Sequence, residues 1–189
     1  MFVRTALVLG IAMTAAAGVQ AADLIIPTAP QPIIASYDAA GFDWTGLYVG
    51  ANVGGEFTGA NSNGVVGALA GYNFAVTDAV IAGVEGRADY VFDGDDFSAG
   101  EYLALARVGV VATENVLAYG TAGLGYRDTS NNGASEGGIY AFGAGAEIAA
   151  TENVSLRGEV LGIGFLGDGL NGDNAPAAAK ATVGALFHF

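Results

Sequence analysis

Residues 81–92 read Ile-Ala-Gly-Val-Glu-Gly-Arg-Ala-Asp-Tyr-Val-Phe. Glu85, Arg87 and Asp89 occupy alternate positions, whereas Ala82, Val84, Gly86, Ala88, Tyr90 and Phe92 between and beside them carry no charge. A period of two marks a β-strand with two unlike faces. One face holds charges of both signs and the other holds none, so the question for the whole chain is which face meets water.

The same alternation runs through the sequence from Trp44 onward. Leu47, Val49, Ala51 and Val53 alternate with Tyr48, Gly50, Asn52 and Gly54, and the pattern returns at 65–74, 101–112, 116–127, 138–149, 154–163 and 179–189. This predicts eight strands of about ten residues, the length a tilted strand needs to cross a bilayer. The connections repeat as well: Ala112-Thr113-Glu114-Asn115-Val116 recurs as Ala150-Thr151-Glu152-Asn153-Val154, and Val76-Thr77-Asp78-Ala79-Val80 is a looser copy. Between these tight turns lie segments rich in Gly, Asn, Asp and Ser, at 57–63, 93–100, 128–137 and 164–178. Short turns at one end and long loops at the other describe an up-and-down meander with two different rims.

Composition decides the environment. The 189 residues are 52% hydrophobic and 13% charged, with 31 Gly, whereas about a quarter of the residues in soluble domains are charged. In a soluble sheet the charged face would be densely charged; here it mixes ion pairs with Gly, Ala and Tyr, as a narrow packed interior does. On the uncharged face, Phe57, Tyr90, Phe92, Tyr102, Tyr126 and Tyr140 fall near the long-loop ends, and Trp44, Tyr72, Phe74, Phe187 and Phe189 near the opposite ends. Two aromatic girdles around an aliphatic band predict a transmembrane β-barrel. The expected fold is thus all-β, an eight-stranded antiparallel up-and-down barrel, closed because lipid offers backbone groups no partners.

Eight strands leave room inside only for side chains. Glu101 and Arg107 share the polar face, as do Arg157 and Glu159; Arg127 and Lys180 are assigned to it too. The expected lumen network is Glu85, Arg87, Asp89, Arg107, Glu147, Arg157, Glu159 and Lys180, four acids against four bases. It reads as a polar plug that keeps the barrel rigid, with a thin gated conduit as the alternative. A wide pore of sixteen or more strands exceeds the 168 residues that remain of 189 once residues 1–21 are set aside.

Those first 21 residues, with Arg4 followed by an apolar run and Val19-Gln20-Ala21 at its end, predict a cleaved signal peptide. Residues 22–43, with Pro27, Pro30 and Pro32, predict a periplasmic lead-in, and 44–189 the barrel. The formal charge of −13 becomes 5 minus 19, or −14, without Arg4, which argues against a nucleic-acid surface. With no Cys and His188 as the single histidine, neither an enzyme nor a metal or other cofactor site is expected. Gly162-Ile163-Gly164-Phe165-Leu166-Gly167 matches a dinucleotide-binding spacing, but no helix is expected after it.

The stretch Trp44-Thr45-Gly46-Leu47-Tyr48-Val49-Gly50, with Gly71-Tyr72-Asn73-Phe74, Gly83-Val84-Glu85-Gly86, Asn153-Val154-Ser155-Leu156-Arg157-Gly158-Glu159 and a terminal Phe189, resembles the small porin-like outer-membrane proteins of alphaproteobacteria. These are OmpA-like barrels that include surface antigens. The resemblance implies an outer-membrane location among lipid and lipopolysaccharide, and a last strand read by the outer-membrane assembly machinery through Phe189 and Phe187. It also implies a structural role in envelope integrity, the alternative being a narrow porin-like channel for small solutes or ions. The acidic loops Asp93-Gly94-Asp95-Asp96 and Asp168 to Asn174 are expected at the surface, open to host or envelope ligands.

Overall fold

Alternating small and branched apolar residues favour extended backbone, and each run finds its partner in the next run along the chain. The computed structural model describes residues 41–59, 61–93, 96–129, 137–167 and 176–189; the expected signal peptide and nearly all of the lead-in lie outside the described residues. The strands are β1 (Gly46–Thr58), β2 (Asn61–Ala75), β3 (Val80–Asp93), β4 (Asp96–Thr113), β5 (Val116–Thr129), β6 (Gly137–Ala149), β7 (Val154–Phe165) and β8 (Ala178–His188). All neighbours pair antiparallel, and β8 returns to β1, from Tyr48 opposite His188 to Phe57 opposite Ala179, which closes the barrel. Among the described residues no sheet edge is left unpaired, as hydrocarbon requires.

The two faces separate as the alternation predicts. Glu85, Arg87 and Asp89 are buried, while Val84 beside them is 59% exposed to the outside. Phe57, Tyr90, Tyr102 and Tyr126 are exposed toward the long-loop rim, and Tyr72, Phe74, Phe187 and Phe189 toward the other. Tyr140 is on the outer face too, but it is covered, with its ring over Gly164 and stacked on Phe142.

Two expectations are corrected. The segments 57–63 and 93–100 are not long loops: only residues 59–60 separate β1 from β2, and only 94–95 separate β3 from β4. Strands run 11 to 18 residues because Asn61, Ser62 and Asn63 continue the ladder opposite Thr58, Phe57 and Glu56. A backbone already paired with its neighbour gains by staying paired, whatever its side chains prefer. Gly59, at φ +58°, makes the turn. The longer connections on this rim are 130–136 and 166–177, and the acidic run 168–174 lies outside the described residues.

The second correction is Trp44, which is not part of a girdle. It is 4% exposed and packs inside the short-turn end of the barrel with Ile81, Leu117 and Phe42. Trp44 precedes β1, and Gly46, at φ +94°, redirects the chain between them. The Asn73 amide nitrogen donates to the Trp44 carbonyl at 2.9 Å and fixes the turn. On the same rim the repeated letters make repeated turns: Thr77 Oγ1 accepts from the Val80 N–H, and Thr151 Oγ1 from the Val154 N–H, both at 3.1 Å.

Candidate functional site: the charged lumen

All eight residues expected in the lumen network are buried on the inner face. The structure gathers them into two clusters rather than one. The inner cluster, toward the short turns, is Glu85, Arg87, Arg107, Glu147, Arg157 and Glu159. Arg157 bridges Glu85 at 2.6 Å and Glu147 at 2.9 Å; Arg107 meets Glu147 at 2.5 Å; Arg87 joins Glu85 at 2.9 Å and Glu159 at 2.6 Å. Three carboxylates face three guanidiniums, and β3, β4, β6 and β7 are tied across the lumen.

The outer cluster, toward the long-loop rim, holds Asp89 and Lys180 together with three residues outside the expected set: Glu56, Glu101 and Arg127. Lys180 pairs with Asp89 at 3.0 Å and also with Glu101, while Arg127 pairs with Glu101 and Glu56. Three acids meet two bases, so the described lumen carries one excess negative charge. The signal for these three was present in the sequence: Glu101 and Arg127 share the inward parity, and Glu56 follows Tyr48 and Asn52 at four-residue steps along β1.

Two tyrosines extend the inner cluster. Tyr48 donates to Glu85 at 2.8 Å and Tyr119 to Glu159 at 2.6 Å. The Arg107 guanidinium lies 4.0 Å from the Tyr119 ring centroid, a cation–π contact that also desolvates it. Leu103, Leu105, Ile139, Ala141, Leu161 and Ile163 fill another part of the interior. Ion pairs closed off from bulk solvent by packed side chains are screened little, but each charge depends on its partner. Removing one partner from a buried pair costs about 3–5 kcal/mol.

At the short-turn end, Ser155 lies 3.0 Å from His188 Nε2 and donates to Glu147 at 3.2 Å. Ser, His and Glu are the residue types of a nucleophilic triad, but the geometry differs. There the carboxylate orients the histidine through Nδ1, whereas Glu147 approaches the Nε2 side, at 3.8 Å, and is itself held by Arg107 and Arg157. Ser155 is fully buried. Chemically the arrangement orients side chains.

No family model matches the chain. The chain is 28% identical over 207 residues to the 31 kDa outer-membrane immunogenic protein of Brucella melitensis, covering 84% of this chain and 85% of the relative. The same figures hold for the protein of that name in Brucella suis. Among solved structures, the N-terminal β-barrel domain of Pseudomonas aeruginosa OprF superposes with a TM-score of 0.50 at 20% identity, covering 75% of this chain and 97% of the barrel domain.

Proposed function

We propose that this chain, an outer-membrane β-barrel of the OmpA-like type, is a structural element of the envelope whose lumen is packed shut rather than a diffusion pore. One observation carries the reading. A water-filled passage wets its walls, yet the ten lumen charges other than Arg127 are each at most 5% exposed, with Glu101 and Glu147 at 0%. Arg127, nearest the long-loop rim, is the partial exception, its side chain 14% exposed. Ion pairs that cross the lumen act as struts between non-adjacent strands, which suits a part that must stay rigid in a membrane.

The alternative, a narrow channel for ions or small solutes, requires these pairs to separate in concert. Planar-bilayer recording of the purified protein tests the choice: the packed lumen gives no steady unitary openings, and reproducible ones would overturn it. The longer connections at 130–136 and 166–177 are the surfaces for contact with lipopolysaccharide and with envelope or host ligands. Phe187 on the closing strand and Phe189 just after it, both outward, are the features for the assembly machinery to read; normal membrane insertion of a chain lacking Phe189 would remove that assignment.

A further inference from the structure

Four buried polar atoms at the short-turn end have no protein partner among the described residues: Trp44 Nε1, Asn73 Oδ1, Arg107 Nε and His188 Nδ1. Their residues are 4%, 0%, 4% and 3% exposed. Unpaired polar groups this deep are strongly disfavoured unless something satisfies them.

The four atoms belong to two pairs of neighbouring residues. Asn73 and Arg107 flank Gly83, where a Cβ would stand 2.3 Å from Asn73 Oδ1 and 3.3 Å from Arg107 Cγ. The Trp44 and His188 rings meet edge to face, their centroids 6.1 Å apart. Each set contains one donor and one acceptor. Arg107 Nε and Trp44 Nε1 only donate. The Asn73 nitrogen is committed to the Trp44 carbonyl, so its oxygen is the free atom. Ser155 gives its single hydrogen to Glu147, so the contact with His188 is donated by Nε2–H, which leaves Nδ1 a lone pair.

A donor and an acceptor on neighbouring side chains, each without a protein partner, call for a small neutral molecule able to accept from one and donate to the other. An anion is repelled by the lone pairs, and a cation by the N–H groups. Water fits both sets, and buried polar groups without protein partners are its usual hosts. We propose that the short-turn end of this barrel is a closed hydration site: one water bridges Arg107 Nε to Asn73 Oδ1, and a second bridges Trp44 Nε1 to His188 Nδ1. Phe42 is its lid. The Phe42 ring lies 4.5 Å from Trp44 and 4.8 Å from His188, and its N–H donates to the Glu114 carbonyl at 3.3 Å.

The chain has one tryptophan, so a single indole N–H resonance reports the site. In the full chain refolded in detergent and labelled with ¹⁵N-Trp, that proton gives a direct cross-peak to water with the sign of a long-lived contact. Its hydrogen–deuterium exchange is at least tenfold slower than that of an exposed indole. Absence of the cross-peak, or exchange at the rate of free indole, overturns the site. Phe42→Ala accelerates exchange at least tenfold in a barrel that still shows heat-modifiable migration, and unchanged exchange there overturns the lid. If that variant fails to fold, the wild-type cross-peak alone decides the hydration site, and Phe42→Leu, which shortens the ring contact, tests the lid by the same acceleration.

Discussion

Lys180, on the closing strand, places its ammonium 3.0 Å from the Asp89 carboxylate on β3, with 91 residues and no shared ladder between them. The same ammonium reaches Glu101 on β4. The last strand is therefore anchored to its neighbours β7 and β1 by backbone hydrogen bonds and to the opposite wall by charge. Replacing Lys180 with Met leaves Asp89 without a cation and Glu101 with only Arg127. The expected loss is about 3–5 kcal/mol, read as a lower urea midpoint for the lipid-refolded protein. Adding Asp89→Asn to Lys180→Met recovers part of the loss but not all, because Glu101 is still short of its ammonium. A double variant no better than the single one refutes the pairing.

Two arginines, one from each cluster, differ in how closely they are sealed, and their variants should differ with them. Arg157 holds both Glu85 and Glu147 with its side chain 3% exposed, whereas Arg127 sits at the mouth with its side chain 14% exposed. Arg157→Gln strands two carboxylates away from bulk solvent and costs about 3–5 kcal/mol. Arg127→Gln costs less than half of that, because water can reach the site. Equal urea midpoints for the two variants contradict the layered lumen.

Glycines on the two faces predict opposite responses. A Cβ on Gly143 would lie 2.0 Å from the Val160 carbonyl oxygen and 2.9 Å from Leu161 Cα, both backbone atoms of β7. Gly143→Ala forces those strands apart and costs at least about 1–3 kcal/mol. Gly158 has nothing within 4 Å of its would-be Cβ, and Gly158→Ala stabilises by about 0.5–1 kcal/mol through reduced chain entropy. Temperature-dependent gel mobility of the two variants, compared with the parent, checks both signs.

Trp44 offers an optical test of its own placement. Enclosed with Ile81, Leu117 and Phe42, its indole is separated from acyl chains by the barrel wall. In vesicles of brominated lipid its fluorescence keeps most of its intensity, and it shifts to the red only on unfolding. Strong quenching by the bromines places it in a girdle and removes it from the lumen.

Strand alternation made the barrel legible, because a strand carrying two or three charges fixes its own parity. Glu85, Arg87 and Asp89 could be oriented without any other part of the chain. Single charges gave less. Glu56 stands alone on β1, and only its register with Tyr48 and Asn52 marks it as inward. Pattern reading failed where the backbone left the ladder: Trp44 lies beyond Gly46, whose positive φ breaks the alternation that the girdle assignment assumed. It failed again at Asn61 to Asn63, whose composition suggests a loop while pairing with β1 makes them strand. The division of the network into two clusters depends on how far each strand is offset from the next, a property no single strand encodes.

The five basic residues beyond the expected signal peptide, Arg87, Arg107, Arg127, Arg157 and Lys180, all point into the lumen. Every bond after lysine or arginine in the barrel therefore lies within a paired strand, with its side chain turned away from solvent. Among the described residues the folded barrel presents trypsin with no site to grip, and its one lysine amine is sealed from acylating reagents. Once unfolded, residues 44–189 offer five accessible cleavage points. Tryptic resistance and a silent lysine thus report closure of the barrel directly, without a ligand, an activity or an antibody.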